Sequence, residues 1–289
     1  MPIRSLSAPL LTCLLALFSC LPVARAKPPA VAPEELRTAA GKRVWVYLPK
    51  GTASSKTKLA CVLIPPAGSR LFHGMSLGEG DQPEHLPWVA AGFAVVAFDL
   101  SGPVPEQMDT DAPLLKGAEE FRKARFGVDD GLAALDAALA KYPQLDPARL
   151  YVAGHSSAGT LSLQLAAAGK ERFAGCVAFA PIANLGEHLK EALPSLDAAL
   201  PGYAEALRQA SPSAQVDAFA CPVFLFHAKD DGNVSTAEIT PFKDALLARG
   251  KTVEFVEVPN GGHYESMVEQ GIPKAIAWVK KLGQKQPKK

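Results

Sequence analysis

RLYVAGHSSAG, residues 149–159, is the stretch that decides the predicted fold. Its first six residues form a mostly apolar run, typical of a strand that is covered on both faces of a sheet. The following segment, SAGTLSLQLAAAG at 157–169, has helical character and ends on a glycine, which commonly stops a helix. The stretch therefore predicts a strand that turns directly into a helix, with one histidine and two serines at the turn.

The backbone geometry of such a turn limits which of the two serines can be the nucleophile. A nucleophile elbow holds its serine at strained backbone angles above the sheet, and close packing requires small residues two positions before and two positions after it. Ser156 meets both conditions, because Gly154 precedes it and Ala158 follows it. Ser157 fails the first condition, because the bulky His155 lies two positions before it. We therefore predict that Ser156 is the nucleophile.

Strand-like and helix-like segments alternate along most of the chain. The other segments with strand character lie at 43–48, 59–64, 93–98, 173–180, 222–227 and 252–258. Besides 157–169, the segments with helical character lie at 129–142, 239–250 and 272–283. This alternation predicts an α/β fold with a mostly parallel central sheet and helices on both faces. The period-two pattern of 43–48 is typical of an edge strand.

A serine hydroxyl needs a base to take its proton, and the base needs a partner that orients it. In open parallel sheets these partners lie on loops after the carboxyl ends of later strands. The loop after 222–227 supplies two acids, Asp230 and Asp231, and the loop after 252–258 supplies His263. The chain order of serine, acid and histidine is the order found in elbow-type hydrolases.

These motifs resemble those of the α/β-hydrolase superfamily, in particular the dienelactone hydrolase and prolyl-oligopeptidase-like (S9-type) serine hydrolases. The resemblance covers roughly residues 40–282. The stretches that carry it are GHSSAG, HAKDDGNV, PNGGH, GFAVVAFDLSG and DPARLYVAGHS. It implies an α/β-hydrolase fold and a catalytic triad of Ser156, Asp231 and His263. The family pattern His-Gly-x-x-Asp-x-x-Val favours Asp231 over Asp230, although Ala228 replaces its usual glycine.

An acyl-transfer site also needs two preorganised donors for the oxyanion. The backbone N–H of Ser157, directly after the nucleophile, is the first predicted donor. The second is expected from the loop after 59–64, which begins with two prolines that have no N–H to donate. Ala67 is the first residue there with a donor, and alignment with the family also indicates Ala67. Gly68 is the alternative.

The first 26 residues have the features of a signal peptide. A positively charged start precedes the apolar run 10–17, and Ala24-Arg25-Ala26 matches a cleavage site. The apolar run is too short to span a bilayer as a stable helix, and Pro22 interrupts the sequence that follows it. We predict a secreted or periplasmic protein. The alternative is an anchored N-terminus, specifically a lipoprotein attached at Cys20, because LFSC resembles a lipoprotein cleavage box.

The rest of the chain divides into a Pro-rich linker at 27–40, one α/β-hydrolase domain at 41–283 and a basic tail at 284–289. Within the domain, 183–220 is longer than an ordinary connection, helical in pattern and broken by prolines. We interpret it as a small helical lid, with a plain surface excursion as the alternative. The segments 69–88, 103–125 and 183–220 are expected, as loops, to shape the substrate pocket.

Charge and composition exclude several classes of partner. The chain has 30 Lys and Arg against 29 Asp and Glu, so there is no basic excess for nucleic acid. Neither metal-ligand spacing nor a phosphate-binding loop is present, and we predict no metal and no cofactor. His155 and His227 are interpreted as packing or hydrogen-bonding residues. The three cysteines beyond the leader are interpreted as buried thiols, with one disulfide as the alternative: Cys61, Cys176 and Cys221.

The predicted function is a serine hydrolase that cleaves a carboxylic ester, or a similar acyl bond, through an acyl-enzyme. A peptide substrate is the close alternative, so the expected partner is a small-molecule or peptide acyl compound. A catalytically silent binding protein with a hydrolase fold is a second alternative. A silent relative is expected to lack a triad residue, and this sequence has all three.

Overall fold

The computed structural model describes residues 32–52, 57–67, 82–105 and 109–285. The predicted signal peptide at 1–26 and the end of the predicted tail at 286–289 lie outside these ranges. Residues 284 and 285, assigned to the tail from sequence, belong to the last helix.

Eight strands within the described ranges form a single sheet. They are β1 (Glu34–Arg37), β2 (Arg43–Tyr47), β3 (Leu59–Ile64), β4 (Ala94–Phe98), β5 (Leu145–His155), β6 (Gly175–Phe179), β7 (Val223–Ala228) and β8 (Val253–Val258). Their order in the sheet is β1-β2-β4-β3-β5-β6-β7-β8. β1 and β2 pair antiparallel, β2 and β4 do the same, and the remaining pairs are parallel. The predicted mostly parallel α/β-hydrolase sheet is confirmed.

Helices cover both faces of this sheet. One face packs against α3 (Val128–Lys141), α4 (Ser157–Gly169) and α8 (Thr236–Ala248), and the other against α1 (Gln82–Ala90) and α9 (Ile272–Lys285). α2 (Ala112–Lys123) lines the pocket described below. The stretch 150–154 of β5 is apolar throughout because its side chains enter both cores: Val152 belongs to the first, while Tyr151 and Ala153 belong to the second. Successive side chains point to opposite faces, so a strand covered on both sides has no polar alternation.

Two sequence expectations about the sheet edge were wrong. β2 is not an edge strand, because β1 pairs along its outer side from Glu34, opposite Val46, to Arg37, opposite Arg43. β1 itself lies inside the stretch predicted to be linker. Its four residues, EELR, contain one apolar side chain and carry too weak a pattern to predict a strand. Backbone pairing holds it, together with a 2.8 Å hydrogen bond from the Tyr142 hydroxyl to Glu34.

The segment predicted as a lid is helical. It contains α5 (Leu185–His188), α6 (Leu193–Ala199), α7 (Tyr203–Ala210) and a 3-10 segment, Pro212–Ala218. A separate apolar cluster joins α6 and α7 to Phe126, whose ring meets Tyr203 edge-on at a centroid distance of 5.7 Å. These helices therefore pack onto the body of the domain beside the end of α2.

Cys61, Cys176 and Cys221 are buried free thiols in the structure. Across the described ranges, no helix combines the length and the apolar character needed to cross a bilayer.

Candidate active site

Ser156 stands at the junction between β5 and α4. β5 ends at His155, α4 begins at Ser157, and Ser156 itself has φ 56° and ψ −122°. A side chain other than glycine is strained at a positive φ, and such strain persists only where surrounding structure enforces it. The Ser156 N–H donates to the carbonyl of Phe179 on β6 at 2.8 Å, which ties the turn to the neighbouring strand.

Close packing at this turn explains its small residues. A Cβ atom at Gly154 would lie 2.4 Å from the carbonyl oxygen of Ala158, a backbone contact that cannot be relieved by moving a side chain. Ala158 is fully buried, so the methyl group that replaces the usual second glycine is accommodated. A Cβ at Gly159 would lie 3.0 Å from the backbone oxygens of Gly154 and Phe179. The turn thus needs glycine at 154, tolerates alanine at 158 and leaves little room at 159.

Asp231 and His263 meet although they are 32 residues apart. Asp231 follows β7, His263 follows β8, and the two parallel strands are neighbours, so both loops leave the same edge of the sheet. The His263 Nδ1 lies 2.7 Å from Asp231 Oδ2, and the two side chains are 17% and 1% exposed. The other carboxylate oxygen, Oδ1, accepts the backbone N–H groups of Asn233 at 2.8 Å and Val234 at 2.9 Å.

These contacts set the charge state of Asp231. Burial by itself would raise the pKa of the Asp231 carboxyl, but contacts with His227 and His263 and the N–H of Val234 outweigh burial and hold it well below its usual range. Asp231 is therefore a carboxylate that orients the imidazole, with Nδ1 as the donor. His227 Nε2 also donates to the carbonyl of Val234 at 2.7 Å, so it orders the acid loop.

The Asp230 side chain binds the backbone of the loop that carries His263. Its two carboxylate oxygens accept the N–H of Gly261 at 3.0 Å and that of Gly262 at 2.8 Å. Both glycines have positive φ, 117° and 62°, a conformation that side chains rarely adopt. Asp230 therefore binds the backbone of the loop, and Asp231 binds the imidazole of His263. From the sequence alone, Asp230 is only an alternative to Asp231, and this contact with the loop backbone is not predicted.

His155 joins the serine turn to the histidine loop. Its Nε2 lies 2.8 Å from the backbone oxygen of His263, and the two imidazole rings are 4.4 Å apart between centroids. Burial, with a smaller effect of the nearby His263, lowers the pKa of His155 to about 3. The ring is therefore neutral and donates its Nε2–H, since a carbonyl oxygen can only accept. This contact brings His263 against the residue that immediately precedes Ser156.

The predicted oxyanion donors lie at the same edge of the sheet. Ser157 is the first residue of α4, where N–H groups point outward and the helix dipole favours negative charge. Ala67 is half-buried and follows β3, which runs parallel to β5 with Leu63 opposite Val152. The loop after β3 therefore leaves the sheet beside the serine turn. Gly68, the alternative donor, lies outside the described residues.

A pocket of about 160 Å³ opens beside Ser156. Its wall combines the serine turn, α2 and the three lid helices. Most of the lining is apolar, and the described lining residues include no Asp, Glu, Lys or Arg. The apolar lining side chains include Leu114, Leu115, Phe121, Phe126, Ile182, Leu185, Leu189, Leu196 and Leu207. An uncharged group on a substrate fits such a wall better than a charged one.

Two of the three segments expected to shape this pocket do line it. Residues 112–123 form α2 rather than a loop, and 183–220 form the lid helices. Of the third segment, residues 69–81 lie outside the described ranges and 82–90 form α1. In α2, Leu114, Ala118 and Phe121 recur at helical spacing, which is the signal that could have predicted this helix.

Among the described residues, the other histidines do not form a metal site. His188 lies in the pocket wall with its Nδ1 2.6 Å from Glu238, and His85 is buried beneath Tyr47. Within the described ranges, no three His, Cys, Asp or Glu side chains are grouped as metal ligands.

Comparison with known proteins places this geometry in a family. The model of the prolyl oligopeptidase family (Peptidase_S9) matches residues 112–285, which include α2, the lid helices and the three candidate triad residues. The sequence has no significant match among curated proteins.

Several solved structures share the fold. An acylaminoacyl peptidase of Pyrococcus horikoshii superimposes with a TM-score of 0.68 at 16% identity, covering 89% of this chain and 41% of its own. A puromycin-hydrolyzing peptidase of Mycobacterium tuberculosis gives 0.68 at 20% identity, covering 90% and 41%. Dipeptidyl peptidase 4 of Porphyromonas gingivalis gives 0.66 at 16% identity, covering 88% and 35%. This chain therefore spans well under half the length of these neighbours, and at such identity the likeness concerns the fold.

Proposed function

The chain belongs to the prolyl oligopeptidase family and is a serine hydrolase, and from that premise we propose that Ser156, His263 and Asp231 are its catalytic triad. We further propose that it cleaves carboxylic esters or similar acyl bonds. One observation carries the proposal. The His263 imidazole is bound to Asp231 at 2.7 Å, and the backbone oxygen of His263 is bound to the side chain of His155, the residue adjacent to Ser156.

The proposed reaction has two halves. Ser156 Oγ attacks the acyl carbon as His263 Nε2 accepts its proton, and the tetrahedral adduct collapses when the imidazolium protonates the leaving group. Water then attacks the acyl-enzyme with the same imidazole as base. The carboxylic acid is released, and the Ser156 hydroxyl is regenerated. Asp231 stays ionised throughout, keeps the proton on Nδ1 and stabilises the imidazolium.

The N–H groups of Ser157 and Ala67 are the proposed oxyanion donors. Each such donor typically lowers the barrier by about 3 kcal/mol. The start of α4 is a favourable place for one of them, because the helix dipole adds to the effect of the N–H itself.

The nature of the pocket supports an uncharged substrate group, as in a neutral ester. The described lining residues include no Asp, Glu, Lys or Arg that could pair with a free peptide terminus, and the one histidine among them, His188, is bound to Glu238. A serine peptidase is the second candidate function, and the family match and the peptidase neighbours favour it. The silent-binder alternative is expected to lack a triad residue, and this sequence has all three proposed triad residues.

Fluorophosphonate labelling tests the nucleophile directly. We expect wild type and the control variant Ser157→Ala to be labelled, and Ser156→Ala to be unlabelled. Labelling that persists in Ser156→Ala and disappears in Ser157→Ala would overturn the assignment, and a folded wild type that never reacts would favour a silent binder. Initial rates on p-nitrophenyl esters and on aminoacyl anilides then separate esterase from peptidase.

We also propose that the protein is exported and cleaved after Ala26, because the leader pattern is followed by a small-x-small site. Intact-mass measurement of the protein from the extracellular or periplasmic fraction tests this. A chain beginning at Lys27 is expected, whereas a lipid-modified chain beginning at Cys20 would support the anchored alternative.

A further inference from the structure

Two polar atoms in the largely apolar pocket have no hydrogen-bond partner among the described residues. Gln164 and Tyr203 both line the pocket, and they are only 4% and 7% exposed. Gln164 lies on α4, two turns after the nucleophile, and Tyr203 begins α7 in the lid. A buried polar atom without a hydrogen bond is costly, so native structures usually leave one only where water or a ligand satisfies it.

The hydrogen bond of Gln164 shows which of its atoms is unused. Its Nε2 donates to the carbonyl of Ala210 at 2.9 Å, and this contact fixes the orientation of the side-chain amide. The Oε1 atom, which can only accept, has no partner among the described residues. Gln164 Oε1 is not among the fully enclosed side-chain atoms that lack a hydrogen bond in the described ranges, so it is not sealed inside the protein. Since Gln164 is otherwise buried in the pocket wall, Oε1 faces the pocket.

The same reasoning applies to the Tyr203 hydroxyl. The ring is held edge-on against Phe126, with the Arg122 guanidinium 5.9 Å from the ring centroid. The hydroxyl forms no hydrogen bond within the described ranges and is not among the sealed atoms. Burial raises the pKa of Tyr203, so the hydroxyl stays protonated and can donate. The pocket therefore offers one acceptor, on the wall beneath the lid, and one donor, on the lid.

We propose that Gln164 Oε1 and the Tyr203 hydroxyl form a polar subsite that selects substrates whose acyl group carries an uncharged amide among apolar atoms. Gln164 Oε1 accepts an N–H of that group, and the Tyr203 hydroxyl donates to a carbonyl of it. This inference rests on the proposed function, because it assumes that the pocket holds the acyl group attacked by Ser156.

Three p-nitrophenyl esters with acyl chains of equal length separate the two contacts. The hexanoate is wholly apolar, the 5-oxohexanoate adds one carbonyl, and the N-acetyl-β-alaninate adds the carbonyl and an N–H. The ratio of kcat/KM between the second and first esters reports the Tyr203 contact, and the ratio between the third and second reports the Gln164 contact. Comparing ratios within one protein cancels any loss of active enzyme.

The variants are Tyr203→Phe, which removes only the hydroxyl, and Gln164→Met, which keeps the length of the side chain. We expect Tyr203→Phe to lower the first ratio and Gln164→Met to lower the second, each by roughly 3- to 10-fold, as for loss of one neutral hydrogen bond. Tyr151→Phe, on the opposite face of the sheet, is the matched control and is expected to leave both ratios unchanged.

Ratios that stay at wild-type values in both pocket variants would overturn the subsite. That outcome is distinct from failure of the proposed function, in which wild type hydrolyses none of the three esters and is not labelled by the fluorophosphonate. Hydrolysis of the hexanoate without discrimination would leave the triad standing and remove only the subsite.

Discussion

Replacing Asp231 with asparagine tests how the acid loop controls the imidazole. Asp231 Oδ1 accepts two backbone N–H groups, at 2.8 Å and 2.9 Å, while Oδ2 faces His263 Nδ1 at 2.7 Å. In Asp231→Asn the amide oxygen keeps the two backbone bonds, so the amide NH₂ must face the imidazole. A donor there makes Nδ1 the acceptor and moves the ring proton to Nε2, which can then no longer accept the proton of Ser156.

The expected loss in kcat is about 10⁴-fold, the magnitude seen when a triad acid is replaced by its amide in other serine hydrolases. At about 1.4 kcal/mol for each factor of ten, this is roughly 5 kcal/mol of transition-state stabilisation. The fold should persist, because the substitution keeps the volume of the side chain and its backbone hydrogen bonds. The rate of fluorophosphonate labelling and kcat on the best p-nitrophenyl ester measure the effect, with circular dichroism as the check on folding.

Asp230→Asn is the matched control. It keeps an acceptor for one glycine N–H of the histidine loop and loses the acceptor for the other, so we expect a drop in kcat of roughly 10-fold from a loosened loop. If Asp230→Asn lost about 10⁴-fold while Asp231→Asn stayed within 10-fold of wild type, the acid would be assigned to the wrong residue and the tautomer argument would fail.

Three further predictions concern the turn, the pH dependence of stability and the core. Gly154→Ala should abolish labelling, because its Cβ would lie 2.4 Å from a backbone oxygen; wild-type labelling would refute the packing argument. His155 is neutral when folded, with a pKa of about 3 against an ordinary 6.5, so its contribution to stability is complete above pH 6.5 and is lost as the pH falls toward 3. Urea midpoints at pH 7 and pH 5 should therefore differ less in His155→Gln than in wild type, and equal differences would contradict this. Trp88→Ala, at a site 1% exposed, should lower the free energy of unfolding by about 3 to 5 kcal/mol, and a urea midpoint unchanged from wild type would count against its role in the core.

Local patterns predicted the elements that are long or strongly apolar. Helix 157–169 was predicted with the observed bounds, and the buried strands were placed within a few residues, because apolar runs and helical spacing are properties of neighbouring residues. β1 was missed because a short edge strand with one apolar side chain is held by pairing with β2, which is not a local property. α2 was treated as part of a loop, although its helical spacing was present in the sequence.

The alternation of strand and helix patterns predicted an α/β fold, and the small residues around Ser156 selected it as the nucleophile. The resemblance of these motifs to α/β-hydrolases implied the hydrolase fold and the triad. Three features are seen only in the tertiary structure. They are the different contacts of Asp230 and Asp231, the hydrogen bond from His155 to the loop that carries His263, and the pocket between α4 and α7. The physical reason is distance along the chain, because each of these features joins residues that are 31 to 108 positions apart. Spacing of residues along the chain carries information about the face of a helix or strand, but not about which distant loop meets it.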